Sequence, residues 1–174
     1  MSPYEYVREA TNNGESLLSL CCGIGLELKH IKTRDVTAVD IFQGYLDEVP
    51  NRCPQAQTVC SDTLAFLKNA PDKSYDVVSL IDGLEHMDKP TGVKVLKEMK
   101  RVARKKILLF TPNGFIKNEP VDTWGVKGGD EYQKHLSGWT TEELKEYKFE
   151  VLYTQGATST WGDKYTEAMY AYNV

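Results

Sequence analysis

The sequence predicts an α/β fold, a parallel sheet with helices packed on both of its faces. Two patterns predict it. Short apolar runs alternate with amphipathic stretches from residue 17 to residue 112, and three of those runs close on an aspartate. In chain order, "SLLSLCC" has the unbroken apolar character of a buried first strand, and "GLELKHIKT" after it reads as a short helical stretch. "DVTAVD" is a second strand, followed by "FQGYLDEVPNR", a helix stopped near Pro50. "AQTVCSD" is a third strand, and "TLAFLKNA" a helix opened by a cap at Asp62 or Thr63. "SYDVVSLID" is the fourth strand. "PTGVKVLKEMKRVAR" is the longest helix, with Val95, Leu96, Met99, Val102 and Ala103 on one face and its cations elsewhere. "KKILLFTP" is the fifth strand. Residues 113–139 show no period and hold five glycines, a long loop of the kind that usually carries function. "TTEELKEY" reads as a capped helix, and "FEVLYTQGA" with "YTEAMYAYNV" as a closing strand pair.

At 174 residues the chain is expected to form one domain, 1–174, with a single sizeable core. Its 41% hydrophobic and 26% charged residues match a soluble globular protein. The net charge of −4 argues against a nucleic-acid backbone as the main partner. The helix "KPTGVKVLKEMKRVARKK" holds eight basic residues and one acid, but they form a solvated face without interleaved aromatics for base stacking. No apolar run approaches the roughly 18 residues that span a bilayer, and the first residues lack a signal-peptide pattern. The four cysteines form no C-x-x-C pair and match no histidine spacing, so no metal is expected. Reduced thiols and a cytoplasmic location are the simplest account.

Open parallel sheets bind ligands at the carboxyl ends of their strands, where strand order reverses. Those ends here carry Gly23-Ile24-Gly25, Asp40, Asp62 and Asp82. A bare-backbone turn near three carboxylates suits a ligand rich in hydroxyl and amino groups, or a cation, better than a polyphosphate. Any one of these acids could be a helix cap or a solvated turn; their placement on successive strands is what points to a ligand. A nicotinamide oxidoreductase is the rival reading, but in G-x-G-x-x-G the third glycine position is Leu28.

The segments "LLSLCCGIG", "VTAVD", "CSDTLAF", "YDVVSLIDGLEHM", "VLKEMKRVARKKILLFTPNG" and "HLSGWTTEELKEYKFEV" together resemble class I S-adenosylmethionine-dependent methyltransferases, in particular small single-domain enzymes of the type 11/12 kind with Asp-x-x-Glu-His after the fourth strand. The resemblance implies a Rossmann-like, doubly wound seven-stranded sheet, mostly parallel with an antiparallel C-terminal strand. It also implies a cofactor, S-adenosyl-L-methionine, held by Ser19, Cys21, Cys22, Gly23 and Gly25 around the first turn. Asp40 would take the ribose hydroxyls, Asp62 with Thr63 the adenine, and Asp82 with Gly83 the methionine end near the sulfonium; Ile41 is also expected to contact the cofactor. The family's usual acid and first glycine are Ser19 and Cys21 in this chain.

Methyl transfer from a sulfonium needs alignment and, for an oxygen or nitrogen acceptor, a group that takes its proton. His86, in "DGLEHM", and His135, in "KHLSGW", are the candidate catalytic residues; His30 reads as a surface or packing residue. Phe115, Trp124, Tyr132 and Trp139 could wall an apolar acceptor or simply pack the loop. Few residues precede the first strand, which implies an open site compatible with a bulky acceptor, a homodimer partner or a mobile lid. The expected function is methyl transfer to oxygen or nitrogen of a small or medium-sized acceptor. The alternative is an inactive methyltransferase-like domain that binds the cofactor or a partner protein.

Overall fold

A computed structural model describes residues 1–159 and 162–174. Its seven strands are β1 (Leu17–Leu20), β2 (Val36–Asp40), β3 (Gln57–Cys60), β4 (Tyr75–Ile81), β5 (Ala103–Pro112), β6 (Glu150–Thr158) and β7 (Lys164–Asn173). They form one sheet in the order β3-β2-β1-β4-β5-β7-β6. The pairs from β3 through β5 are parallel, whereas β7 runs antiparallel to both β5 and β6. The fold is thus the mostly parallel, seven-stranded Rossmann-like sheet with an antiparallel C-terminal strand. The chain builds outward from β1 to β3, then crosses to β4 on the other side of β1. That reversal opens a crevice at the carboxyl ends of β1 and β4.

Helices cover both faces. α3 (Thr63–Asn69), α4 (Lys89–Val102) and α5 (Thr141–Glu146) pack on one, α1 (Pro3–Ala10) and α2 (Gln43–Leu46) on the other. β1 and β2 are buried at every position, as strands covered on both sides must be. The predicted stripe of α4 faces the core: Val95, Leu96, Met99 and Val102 are buried, while Ala103 already begins β5. Asp62 caps α3 by accepting from the Ala65 amide, and Thr140 and Glu143 form a capping box on α5.

Three elements differ from the sequence reading. The helix expected over "FQGYLDEVPNR" is only α2, which ends at Leu46, and Pro50 lies in a separate 3-10 turn, Val49–Asn51. "GLELKHIKT" is a run of turns, because Gly23, Gly25 and His30 take positive φ (51°, 79° and 71°) and no regular helix survives them. α1 was not anticipated. Its start carries a capping box between Ser2 and Glu5 with Pro3 at the first turn, and Val7 is buried in the core.

Trp139, expected as a loop aromatic, is the largest fully buried side chain among the described residues and belongs to the core beneath α4 and α5. Its ring lies on Gly92, where a Cβ would come within 2.4 Å of it. Lys89 Nζ sits 3.9 Å from the ring centroid.

Candidate functional site

The crevice holds a cavity of about 280 Å³ lined by the residues that follow β1, β2, β3 and β4. Asp40, Asp62 and Asp82 share it with Cys21, Gly23, Ile41, Thr63, Gly83 and His86. A smaller cavity of about 80 Å³ adjoins it, reached by Tyr4 of α1, Cys22 and Glu27, and shares Cys21, Asp82, His86, Trp124 and Gln133 with the first. Ile41 is an apolar side chain left half-exposed at this rim.

Local folding fixes each of these groups. Asp40 closes β2, and its carboxylate accepts from the amides of Gly23 (2.9 Å) and Phe42 (3.0 Å). Burial raises its pKa, and those amides work in the opposite direction. The carboxylate therefore ties β2 to the first turn while its remaining lone pairs face the cavity. Cys21 and Asp82 both adopt left-handed backbone (φ 50° each) at the ends of β1 and β4. Gly83 is forced by this arrangement, since a Cβ there would lie 2.7 Å from Cys21 Cβ. The Cys21 side chain thus closes the space above β1 and contacts Thr63 Oγ1 at 3.3 Å.

Three of the expected residues line neither cavity: Gly25, Ser19 and His135, which stands behind His86; Cys22 lines only the smaller one. Gly25 serves the turn, packed against Val49 with φ 79°. Ser19 is completely buried on the face of β1 that carries α1, opposite Ser79 of β4 in the parallel register. Between them lies a residue the sequence reading passed over. Glu27 Oε1 accepts from Ser19 Oγ and, at 3.1 Å, from Ser79 Oγ, while Oε2 has no partner. Burial pushes this carboxyl up to about 7. An acid one turn downstream therefore reaches back to the position where the first strand has only a serine. Asp82, which opens on the cavity, is raised by desolvation and by the carboxylates of Glu85, Glu167 and Glu27.

The loop after β5 roofs the crevice. The Tyr45 hydroxyl of α2 lies within donating distance of Asp122 Oδ1 (2.9 Å) and the Gly129 carbonyl (3.1 Å), and its oxygen accepts from Gln133 Nε2 (2.9 Å). Phe42 stacks on Tyr132 with centroids 5.1 Å apart. Trp124 meets Tyr45 edge to face and lies on Gly23, where a Cβ would come within 2.6 Å of the indole. At its far end the loop is clipped to the turn after β4: the amides of Leu136 and Ser137 donate to the Glu85 carbonyl at 2.8 and 3.1 Å. This clip sets His135 beside His86, with ring centroids 5.0 Å apart. Burial lowers the pKa of both rings and favours their neutral forms.

Burial pushes the Cys21 thiol up to about 12 and raises those of Cys22 and Cys53, with no cation nearby to favour thiolates. Only Cys60 is exposed. Titration with an aromatic disulfide reagent is expected to find one fast thiol in the native chain and all four after unfolding. A native count of two would show that the reagent reaches Cys21, which is half-buried in the crevice, and a count of three or more would contradict the burial of Cys22 and Cys53.

The family model described as a methyltransferase domain matches residues 17–106, which run from β1 into β5. No curated protein matches. Among solved structures, the chain is similar to an S-adenosylmethionine-dependent methyltransferase from Archaeoglobus fulgidus at TM-score 0.60 and 19% identity, covering 97% of this chain and 94% of that one. It is similar to the Burkholderia thailandensis 1,6-didemethyltoxoflavin-N1-methyltransferase, solved with 1,6-didemethyltoxoflavin and S-adenosylhomocysteine, at TM-score 0.64 and 14% identity over 97% and 76%. A Methanosarcina mazei S-adenosylmethionine-dependent methyltransferase gives TM-score 0.64 and 17% identity over 97% and 96%. At these identities the likeness is one of fold.

Proposed function

Because the chain belongs to the methyltransferase domain family, we propose that its crevice binds S-adenosylmethionine and that it transfers the methyl group to oxygen or nitrogen of a small or medium-sized acceptor. One observation carries this reading. Asp40, Asp62 and Asp82, each closing a strand or its turn, surround one cavity together with Gly23, whose backbone lies under the Trp124 indole. The residues present fit the cofactor. Asp40 has lone pairs for vicinal hydroxyls, Ile41 offers an apolar surface to a purine, and Asp62 lies at the far wall. The unpartnered Oε2 of Glu27, buried next to Cys22 and Asp82, supplies a negative group for an ammonium where Ser19 has none.

The cofactor, when bound, supplies a methyl group already activated by positive sulfur. The chain's part is to hold the acceptor in line and to manage its proton. His86 Nδ1 donates to the Lys134 carbonyl at 3.1 Å and His135 Nδ1 to the Ile116 carbonyl at 2.6 Å, so each neutral ring keeps its lone pair on Nε2. Such a lone pair can take the acceptor's proton as its oxygen or nitrogen forms the new bond to carbon.

Calorimetry with S-adenosylmethionine and S-adenosylhomocysteine, together with transfer of labelled methyl to fractionated small molecules, tests the reading. Binding with turnover supports it; binding without product in any fraction leaves a ligand-binding domain, and absence of binding removes the proposal. Asp40→Ala is expected to weaken cofactor binding by about 1–3 kcal/mol, the cost of hydroxyls left without a charged acceptor. Unchanged affinity in the same calorimeter would show that the ribose lies elsewhere.

A further inference from the structure

Glu85, His86 and His135 form a cluster in which one ligand atom of each lies within 4.8 Å of those of the other two. Donors held about 2.1 Å from a common ion lie roughly 3–3.5 Å apart around a tetrahedron, so small side-chain rotations separate this arrangement from a coordination shell. The atoms that would not ligate are already engaged. Both Nδ1 atoms donate to main-chain carbonyls, of Lys134 and Ile116, which fixes the tautomer with Nε2 free. Thr111, fully buried on β5, donates to Glu85 Oε2 at 3.0 Å. Ligating histidines and carboxylates are typically oriented by such outer hydrogen bonds, and here all three have one.

The cluster is also built rather than accidental. His135 lies 49 positions from His86 in the chain, and it is brought back by the amides of Leu136 and Ser137 on the Glu85 carbonyl and by Asn118 Oδ1 on its own amide at 2.8 Å. His86 lines both cavities of the crevice. Glu85 and His135 line neither cavity, so an ion held there would meet the crevice on its His86 side.

We propose that Glu85, His86 and His135 bind one divalent first-row transition cation, through one carboxylate oxygen and two Nε2 atoms, with its remaining positions open to the acceptor. Two imidazoles and one carboxylate suit zinc, manganese, cobalt or iron(II), and disfavour magnesium and calcium, which prefer oxygen alone. The catalytic use of the site rests on the methyl-transfer reading above and revises one part of it. An acceptor hydroxyl on the ion gives up its proton to solvent more easily, so neither ring has to take it; the oxygen keeps its electron pair for the methyl carbon, and the carbon–sulfur pair passes to sulfur.

The test is equilibrium dialysis and cobalt absorption spectroscopy on the full chain, stripped with a chelator and free of any adenosyl ligand. One Co²⁺ or Mn²⁺ per chain is expected, with Mg²⁺ unable to displace it, and no thiolate-to-cobalt charge-transfer band. His86→Asn and His135→Asn place an amide nitrogen near the former Nδ1, which can still donate to the carbonyl, and remove Nε2. Each is expected to melt with the native chain when metal is absent, and to weaken metal binding by more than about 100-fold, beyond the 10–100-fold that outer-shell losses give. Absence of stoichiometric binding in the native chain overturns the proposal, as does binding that survives both substitutions or a thiolate band. A parallel S-adenosylmethionine titration separates the two readings. Cofactor binding without metal binding leaves the methyltransferase reading and removes this one, while metal binding alone does the reverse.

Discussion

At pH 8 the Glu27→Gln chain, free of ligand, is expected to melt about 6–10 °C above the native chain, and to bind S-adenosylmethionine less tightly by about 2 kcal/mol. The Glu27 carboxyl is raised from 4.5 to about 7 because it is buried over Ser19 and Ser79 with one oxygen unpartnered. The folded chain therefore holds this proton more tightly than the unfolded chain does. Below pH 4.5 both states are protonated and the group imposes no penalty. From pH 4.5 to about 7 the unfolded state ionises first and stability falls, and above about 7 the whole cost, roughly 3 kcal/mol, is present. Glutamine keeps the shape and can still bond to both serines. Melting curves of the two chains should converge near pH 4.5 and separate toward pH 8. The ligand effect has the opposite sign, because an ammonium against Oε2 favours the carboxylate, so cofactor binding should tighten as pH rises toward 7. A variant less stable than the native chain at pH 8 would mean that a favourable partner already neutralises Glu27.

Trp139→Ala is expected to cost about 3–5 kcal/mol of stability, read as a lower urea midpoint at unchanged slope. The ring is fully buried between Gly92, Leu84 and the start of α5, and no neighbour can fill its volume without moving α4. Its indole N–H donates to Ser137 Oγ at 2.9 Å, two residues beyond His135. Loss of the ring therefore also loosens the clip that sets His135 against His86. Trp124→Ala, on a half-exposed ring, is the matched control and should lie within about 1 kcal/mol of the native chain. A small cost at Trp139 would place that ring outside the core.

The strand ends were legible because their pattern is local. Each of "DVTAVD", "CSD" and "LID" closes a strand on an acid, and the parallel order β3-β2-β1-β4 then brings the three acids to one rim. α4 was legible for the same reason, its 3.6-residue period being written in 14 consecutive residues. What escaped depends on register. Glu27 acquires its meaning from Ser19 and from Ser79, 52 positions away, which meet only because Ser19 pairs with Ser79 across β1 and β4. Trp139 reads as loop until α4 is laid on the sheet and Gly92 leaves room for an indole. α1 could have been found, since Ser2, Pro3 and Glu5 spell its capping box, but eight residues give too short a period to register.

The indole of Trp124 has a kinetic meaning as well. It rests on Gly23 and lines both cavities, so a chain reaching from the Asp40 side of the crevice to Glu27 would meet it. Entry of such a chain and departure of the indole are then one event, and the arrival rate is capped by how often the roof lifts. Raising the ligand concentration would drive the observed rate to a plateau instead of a straight line. Removal of the ring would abolish that plateau.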